Sequence, residues 1–216
     1  MKKFKIVGMG PGGRDYIIPA ALQAIHEAQI LIGAPRHLNA AAQYSQGEDK
    51  KTFTYKANLD ALISFIRANR DRRIALLVSG DPGFHSLLGH VVRNFQAEEY
   101  SVIPGISSFQ TAMARLGVPW QEDLTISCHG KPFREIRHRV LKTLKEGRRV
   151  ILLTDSKNSP RIIAAELLDL DIGDRRVWLG VSLTLPDEEM AETTLQALAW
   201  GENAEESPRL CVMVVQ

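Results

Sequence analysis

Short apolar runs alternate, along the first half of the chain, with segments whose apolar residues recur every three or four positions. The runs Phe4–Val7, Gln29–Ile32, Ile74–Val78 and Tyr100–Ile103 read as strands. The segments Pro19–Ala28, Asn58–Asn69, Phe84–Phe95 and Ser107–Leu116 read as helices. In the second helix Leu59, Leu62, Ile63 and Ile66 fall on one face, and Asn58 stands where an N-cap belongs. Near-continuous apolar strands alternating with helices predict an α/β fold, its sheet mostly parallel and covered on both faces. The rhythm breaks at Leu116-Gly117-Val118-Pro119-Trp120, because Gly117 can close a helix and Pro119 cannot continue one. A second set follows: strand Leu124–Cys128, helix Arg134–Leu144, strand Val150–Leu153, helix Pro160–Leu170, strand Val177–Val181 and strand Leu210–Val215, with a solvated turn "AEESP" before the last. Two α/β domains are expected, residues 1–117 and 118–216.

Composition narrows the class. The 216 residues are 44% hydrophobic and 24% charged, as in an ordinary globular protein with a sizeable core. Residues 1–117 hold 14 Lys and Arg against 9 Asp and Glu, and the remainder 13 against 16. Neither half is basic enough to point to nucleic acid. No stretch reaches the roughly 18 apolar residues of a membrane span, and "MKKFKIVGMG" is too short in apolar residues for a signal peptide. Cys128 and Cys211 lie in strand-like runs and read as buried thiols rather than a disulfide. His26, His90 and His138 form no ligand spacing with one another or with the cysteines, so no protein-bound metal is expected. The chain reads as cytoplasmic.

Three turns carry chemistry. "VGMGPGG", after the first strand, satisfies G-x-G-x-x-G and invites a dinucleotide-binding reading. Against that, Pro11 removes a backbone N–H, and no acidic residue stands about 20 positions on to hold a ribose. Arg36 keeps an NADP-binding alternative open, and a purely structural turn is an equal competitor. "SGDPGFHS" follows the strand Ile74–Val78 and places backbone N–H groups at a strand's carboxyl end, where open α/β sheets bind ligands. Asp81 there reads as an N-cap, a turn former or a partner for a cationic ligand group. "VIPGISSFQTA" opens a helix with Ser107 and Ser108, which can cap it or face the same crevice. If the strands are parallel, all three turns gather on one sheet edge.

In this order and spacing, "VGMGPGG", "SGDPGFHS" and "PGISS" resemble the tetrapyrrole methylases. Within that family "PGISSFQTAMARLGVPWQED" followed by "SCHGK" is most similar to the C-5 methyltransferases of cobalt-precorrin-7. The second half matches more loosely, through "VILLTDSKNSP" and the closing strand. The resemblance implies two α/β domains with a cofactor cleft between them, a homodimer, and S-adenosylmethionine as cofactor. It implies cofactor contacts at Pro11, at Gly80, Asp81 and Phe84 largely through backbone, at Ser107 and Ser108, and at Thr154, where methionine is often found. His85 stands where an aromatic is often seen, and Lys131 replaces a usual arginine. The implied substrate is a polycarboxylate tetrapyrrole, any cobalt belonging to it. Arg14, Arg36, His129 and Lys131 are candidates for gripping it, each set against a solvated or packed alternative. A separate decarboxylating C-15 methyltransferase is the implied functional partner. Methylation of another ring carbon, or of RNA, is the rival within the family.

Residues 129–149 hold eight Lys and Arg against two Glu. Ile136, Val140, Leu141 and Leu144 nevertheless form an ordinary apolar face, and no aromatic residues interleave with the charges as base-stacking platforms do. The run therefore reads as a solvated helix surface.

Overall fold

The computed structural model describes residues 4–45, 50–55, 58–201 and 211–216. The expected "AEESP" turn and Leu210 lie outside the described residues. Two compact units divide the chain, residues 1–107 and 108–216.

The first unit is a five-stranded, all-parallel sheet. Its strands are β1 (Phe4–Gly8), β2 (Ile30–Gly33), β3 (Lys51–Thr54), β4 (Ile74–Val78) and β5 (Tyr100–Ile103), in the order β3-β2-β4-β1-β5. Successive side chains of a strand point to opposite faces, and here both faces are packed. Phe4, Ile6, Ile74, Leu76 and Val78 meet residues of α3 (Leu59–Ala68) and α4 (Leu88–Asn94). Val7, Ala75, Leu77 and Leu31 meet α1 (Pro19–Glu27) and Ala41 of α2 (Pro35–Ala42). That double burial is why β4 reads as an unbroken apolar run. The Asn58 side chain accepts from the Ala61 N–H at 3.0 Å, the expected N-cap. The helix expected from Phe84 begins only at Leu88, because His85 takes φ +51 and interrupts it.

The second unit opens with α5 (Ser108–Leu116) and holds a mixed sheet in the order β6-β7-β10-β8-β9. Its strands are β6 (Leu124–Ser127), β7 (Val150–Leu153), β8 (Arg176–Val181), β9 (Glu189–Thr194) and β10 (Cys211–Val215). β6 and β7 are parallel, and the other pairs are antiparallel. One face is covered by α6 (Arg137–Lys145), α7 (Pro160–Leu168) and α8 (Leu195–Trp200). The other carries Ile151, Val212 and Val214, all buried, and α5 packs on β7 and β10. The units therefore divide earlier than the 117/118 break expected from sequence. Helix α5 supplies the cover that the second sheet's alternate face needs. On α6, Arg137, His138 and Arg139 are exposed while Val140 and Leu144 are buried, as a solvated face requires.

Candidate active site

β4, β1 and β5 are neighbours and run the same way, so their three following turns meet at one carboxyl edge. The contact between them is main chain on main chain. The Met9 N–H donates to the Val78 carbonyl at 2.8 Å, and the Gly80 N–H to the Gly10 carbonyl at 2.9 Å. A Cβ built on Gly8 would lie 2.5 Å from the Gly80 carbonyl oxygen and 2.6 Å from the Gly105 nitrogen. One built on Gly105 would overlap that same oxygen and stand 2.9 Å from the Gly8 Cα. Gly80 itself takes φ +58, beside Ser107. Gly8 and Gly105 are thus needed so that the backbones can touch, and Gly80 for its positive φ.

Asp81 fastens the assembly. Its Oδ1 accepts from the Gly83 N–H at 2.7 Å and its Oδ2 from the Gly105 N–H at 3.1 Å. Of the readings left open for this carboxylate, the structure shows the turn former, with an added link to the β5 turn. Around this knot Gly12 and Gly83 are exposed, and Pro11 and Phe84 half-buried. Ser107 is buried, and Ser108 begins α5 in the second unit. Arg14, at the start of a 3-10 turn, is exposed, with its guanidinium 5.8 Å from the Tyr44 ring centre.

Arg36 sits one strand over, in the first turn of α2. Its Nη2 donates to Ser79 Oγ at 2.6 Å, and its Nε to His37 Nε2 at 3.3 Å. His37 Nε2 also lies 2.9 Å from Ser79 Oγ, while its Nδ1 is buried without a hydrogen bond. Burial pushes the His37 imidazole down to about 4, and the Arg36 guanidinium acts in the same direction. The Leu77 backbone opposes them, without making a hydrogen bond to Nδ1. Because the unfolded imidazole titrates near 6.5, the unfolded chain binds the extra proton first as pH falls. Stability fully present above pH 6.5 is therefore expected to drop towards pH 4 by up to about 1.4 kcal/mol per pH unit. The carboxylates held low, Glu27 by Lys5 and Glu188 by Arg115, withdraw their own contribution only below about 4.5. Urea unfolding between pH 4.5 and 6.5 checks this: His37→Asn flattens the slope, and an unchanged slope contradicts the assignment.

In the second unit His129 and Lys131 occupy the turn after β6, both exposed. His129 Nδ1 lies 3.3 Å from Ser127 Oγ. The turn is anchored from the loop after β7. Asn158, buried, accepts from the Phe133 N–H at 3.0 Å and donates to the Cys128 and Lys131 carbonyls at 3.0 and 3.1 Å. Asp155 accepts from the Lys157 and Asn158 N–H groups and, at 3.4 Å, from that of Gly130. Burial raises the Asp155 pKa, but these hydrogen bonds outweigh it and leave the carboxyl below its usual range. Thr154 is turned inward: it is 3% exposed, and both its Oγ1 and its backbone N–H donate to the Cys211 carbonyl, leaving its own carbonyl for a ligand. Gly8, Gly105, His37, Ser79, Asp155 and Asn158 were not singled out as site residues from sequence. The signal for Asp155 and Asn158 was the turn-forming composition of "DSKNSP", and for Gly8 and Gly105 the glycine at the end of an apolar run; His37 and Ser79 carried none.

A recess of about 190 Å³ at the amino ends of β1 and β4, lined by Phe4, Ile74 and Arg70 among others, lies at the opposite edge from these turns. Among the described residues no cluster of three His, Cys, Asp or Glu is placed to hold a metal, and no helix is long and apolar enough to cross a membrane.

Comparison with known proteins agrees with this geometry. The family model described as tetrapyrrole (corrin/porphyrin) methylases matches residues 3–199. The cobalt-precorrin-7 C(5)-methyltransferase of Salmonella typhimurium is 37% identical over 183 residues, 85% of this chain and 86% of the relative. The crystal structure of the cobalamin biosynthesis precorrin-6Y methylase (cbiE) of Archaeoglobus fulgidus superposes with a TM-score of 0.75 at 24% identity, covering 100% of this chain and 98% of that one. Uroporphyrin-III C-methyl transferase of Thermus thermophilus, complexed with S-adenosyl homocysteine, gives a TM-score of 0.73 at 18% identity, covering 99% and 91%. With two α/β units and glycine turns gathered on one rim, the chain belongs to the tetrapyrrole (corrin/porphyrin) methylases.

Proposed function

We propose that this protein is an S-adenosylmethionine-dependent methyltransferase acting on C-5 of cobalt-precorrin-7 in cobalamin biosynthesis. The observation that carries the reading is the 37% identity with the Salmonella enzyme across most of both chains. The rim supports it. A ligand held mainly by main chain needs exposed glycines and short side chains at strand carboxyl ends, and Gly12, Gly83 and the Gly80–Asp81 turn offer these. Pro11, Gly80, Asp81, Phe84, Ser107, Ser108 and the Thr154 backbone are the residues proposed to hold the cofactor. Asp81 acts there through the turn it fastens, since both its oxygens are committed to backbone N–H groups.

When bound, S-adenosylmethionine supplies a methyl group on a sulfonium, an electrophile that needs no protein nucleophile. The residues then have one task, to hold an electron-rich ring carbon in line at near-attack distance. Positioning of that kind can supply roughly 7–11 kcal/mol. Arg14, Arg36, His129 and Lys131 are proposed to grip the substrate's carboxylates. Lys131→Glu is expected to raise the tetrapyrrole KM several-fold and to leave kcat nearly unchanged, because a rim charge contributes to capture rather than to chemistry. Steady-state kinetics check this, and an unchanged KM returns Lys131 to the solvated surface. The reading includes a cytoplasmic homodimer and a separate decarboxylating C-15 methyltransferase as functional partner; sedimentation tests the first. Mass spectrometry of cobalt-precorrin-7 incubated with the protein and methyl-labelled S-adenosylmethionine tests the activity. One labelled methyl at C-5 is expected, and no transfer, or transfer to another carbon, contradicts it.

A further inference from the structure

β2 and β4 pair in parallel, so the end of β2 and Ser79, just past β4, share the carboxyl edge that also carries the glycine turns. Chain direction turns at Gly33-Ala34-Pro35, and α2 starts with proline at its first position. Gly33 is where the next piece fits. A Cβ there would stand 3.3 Å from both the His37 and the Leu77 Cβ atoms, so glycine lets the His37 ring lie back against the sheet. From that seat Nε2 points to the Arg36 Nε and to Ser79 Oγ. Arg36 is consequently held at two of its three nitrogens by neutral acceptors. No carboxylate pairs with it among the described residues.

Arg67 is likewise held by a neutral acceptor, the Asn94 carbonyl, and Arg93 by His90 Nδ1, each at one nitrogen. Arg36 is held at two, by two side chains, which fixes the direction of its guanidinium plane. Here the guanidinium is oriented and stands at the amino end of α2, where the helix dipole also favours an anion.

Resting on the methyltransferase reading above, we propose that Arg36, positioned by His37 and Ser79, is a receptor for a peripheral carboxylate of the tetrapyrrole substrate. His37 is a positioning residue. It must be neutral to accept from a guanidinium, and the burial that depresses its protonation keeps it so. The same carboxylate chemistry exists on the methionyl end of the cofactor. The tetrapyrrole is assigned because Arg36 lies beyond β4, one strand away from the β4–β1–β5 knot.

The test separates the sources. Arg36→Gln is expected to raise the tetrapyrrole KM about tenfold or more, the loss of one charge-assisted contact, with kcat and the S-adenosylhomocysteine Kd near the parent's. His37→Phe is expected to raise KM in the same direction, and His37→Gln, which retains an acceptor, to restore much of it. An unchanged KM in Arg36→Gln, with a parent that binds S-adenosylhomocysteine and methylates, overturns the carboxylate site alone. A rise in the S-adenosylhomocysteine Kd with KM unchanged moves the site to the cofactor and also overturns it. A parent that binds no S-adenosylhomocysteine overturns the methyltransferase reading instead.

Discussion

Gly105→Ala is expected to cost about 3 kcal/mol of stability and to abolish measurable S-adenosylhomocysteine binding. Overpacking ordinarily costs about 1–3 kcal/mol when side chains can shift, but here the obstruction is backbone. The added methyl meets the Gly80 carbonyl oxygen and the Gly8 Cα, neither of which is the end of a flexible side chain. Moving the Gly80 turn away would stretch its bond to Gly10 and the Asp81 link to residue 105 itself. Relief of the clash therefore breaks the rim proposed to hold the cofactor. Gly117→Ala is the control. Gly117 has φ +67 with nothing within 4 Å of its would-be Cβ, so it is expected to lose only about 1 kcal/mol, with binding retained. Urea unfolding and calorimetry on both variants check the pair, and a Gly105→Ala protein as stable as the parent contradicts the packing argument.

Asn158→Ala is expected to cost about 2 to 3 kcal/mol and to loosen residues 128–133. The amide side chain joins the loop after β7 to the turn carrying His129 and Lys131, through the Phe133 N–H and two carbonyls. Removing it strips the buried Phe133 N–H of its partner and leaves the Cys128 carbonyl with only the 3.3 Å bond from the Lys131 N–H. A buried donor left unmade costs about 1–3 kcal/mol, and further hydrogen bonds are lost with it. Phe133 is 1% exposed in the second unit's core, so the loosening is felt by the sheet as well as by the turn. Amide exchange and urea unfolding check the result. Protection at 128–133 equal to the parent's would show that the turn closes without Asn158.

Where the chain is buried on both faces, the apolar pattern locates elements well. β4 and β7 begin and end where the runs Ile74–Val78 and Val150–Leu153 do. The edge strands of polar composition are another matter. β3, Lys-Thr-Phe-Thr, and β9, Glu-Met-Ala-Glu-Thr-Thr, are largely exposed, so neither period-2 burial nor hydrophobicity marks them. The short helices α2 and α8 are missed because eight and six residues are too few turns for a three- or four-residue period to show. Helix α5 shows a different limit. Its amphipathic face is plain in sequence, but which sheet it covers is a tertiary fact. The three-turn rim was legible because parallel order puts strand ends together, whereas the reason for its glycines was not. Gly8 and Gly105 are required by each other and by the Gly80 carbonyl, a contact across 97 residues of chain. His37 was hidden in the same way, its partner Ser79 being supplied by the turn after a neighbouring strand.

The most direct trial of the rim as a main-chain cradle for the methyl donor is calorimetric titration of the purified protein with S-adenosylhomocysteine and, separately, with NADPH. Micromolar affinity for the thioether and no heat from the nicotinamide is the predicted outcome. NADPH binding in that range, with the thioether silent, would contradict it.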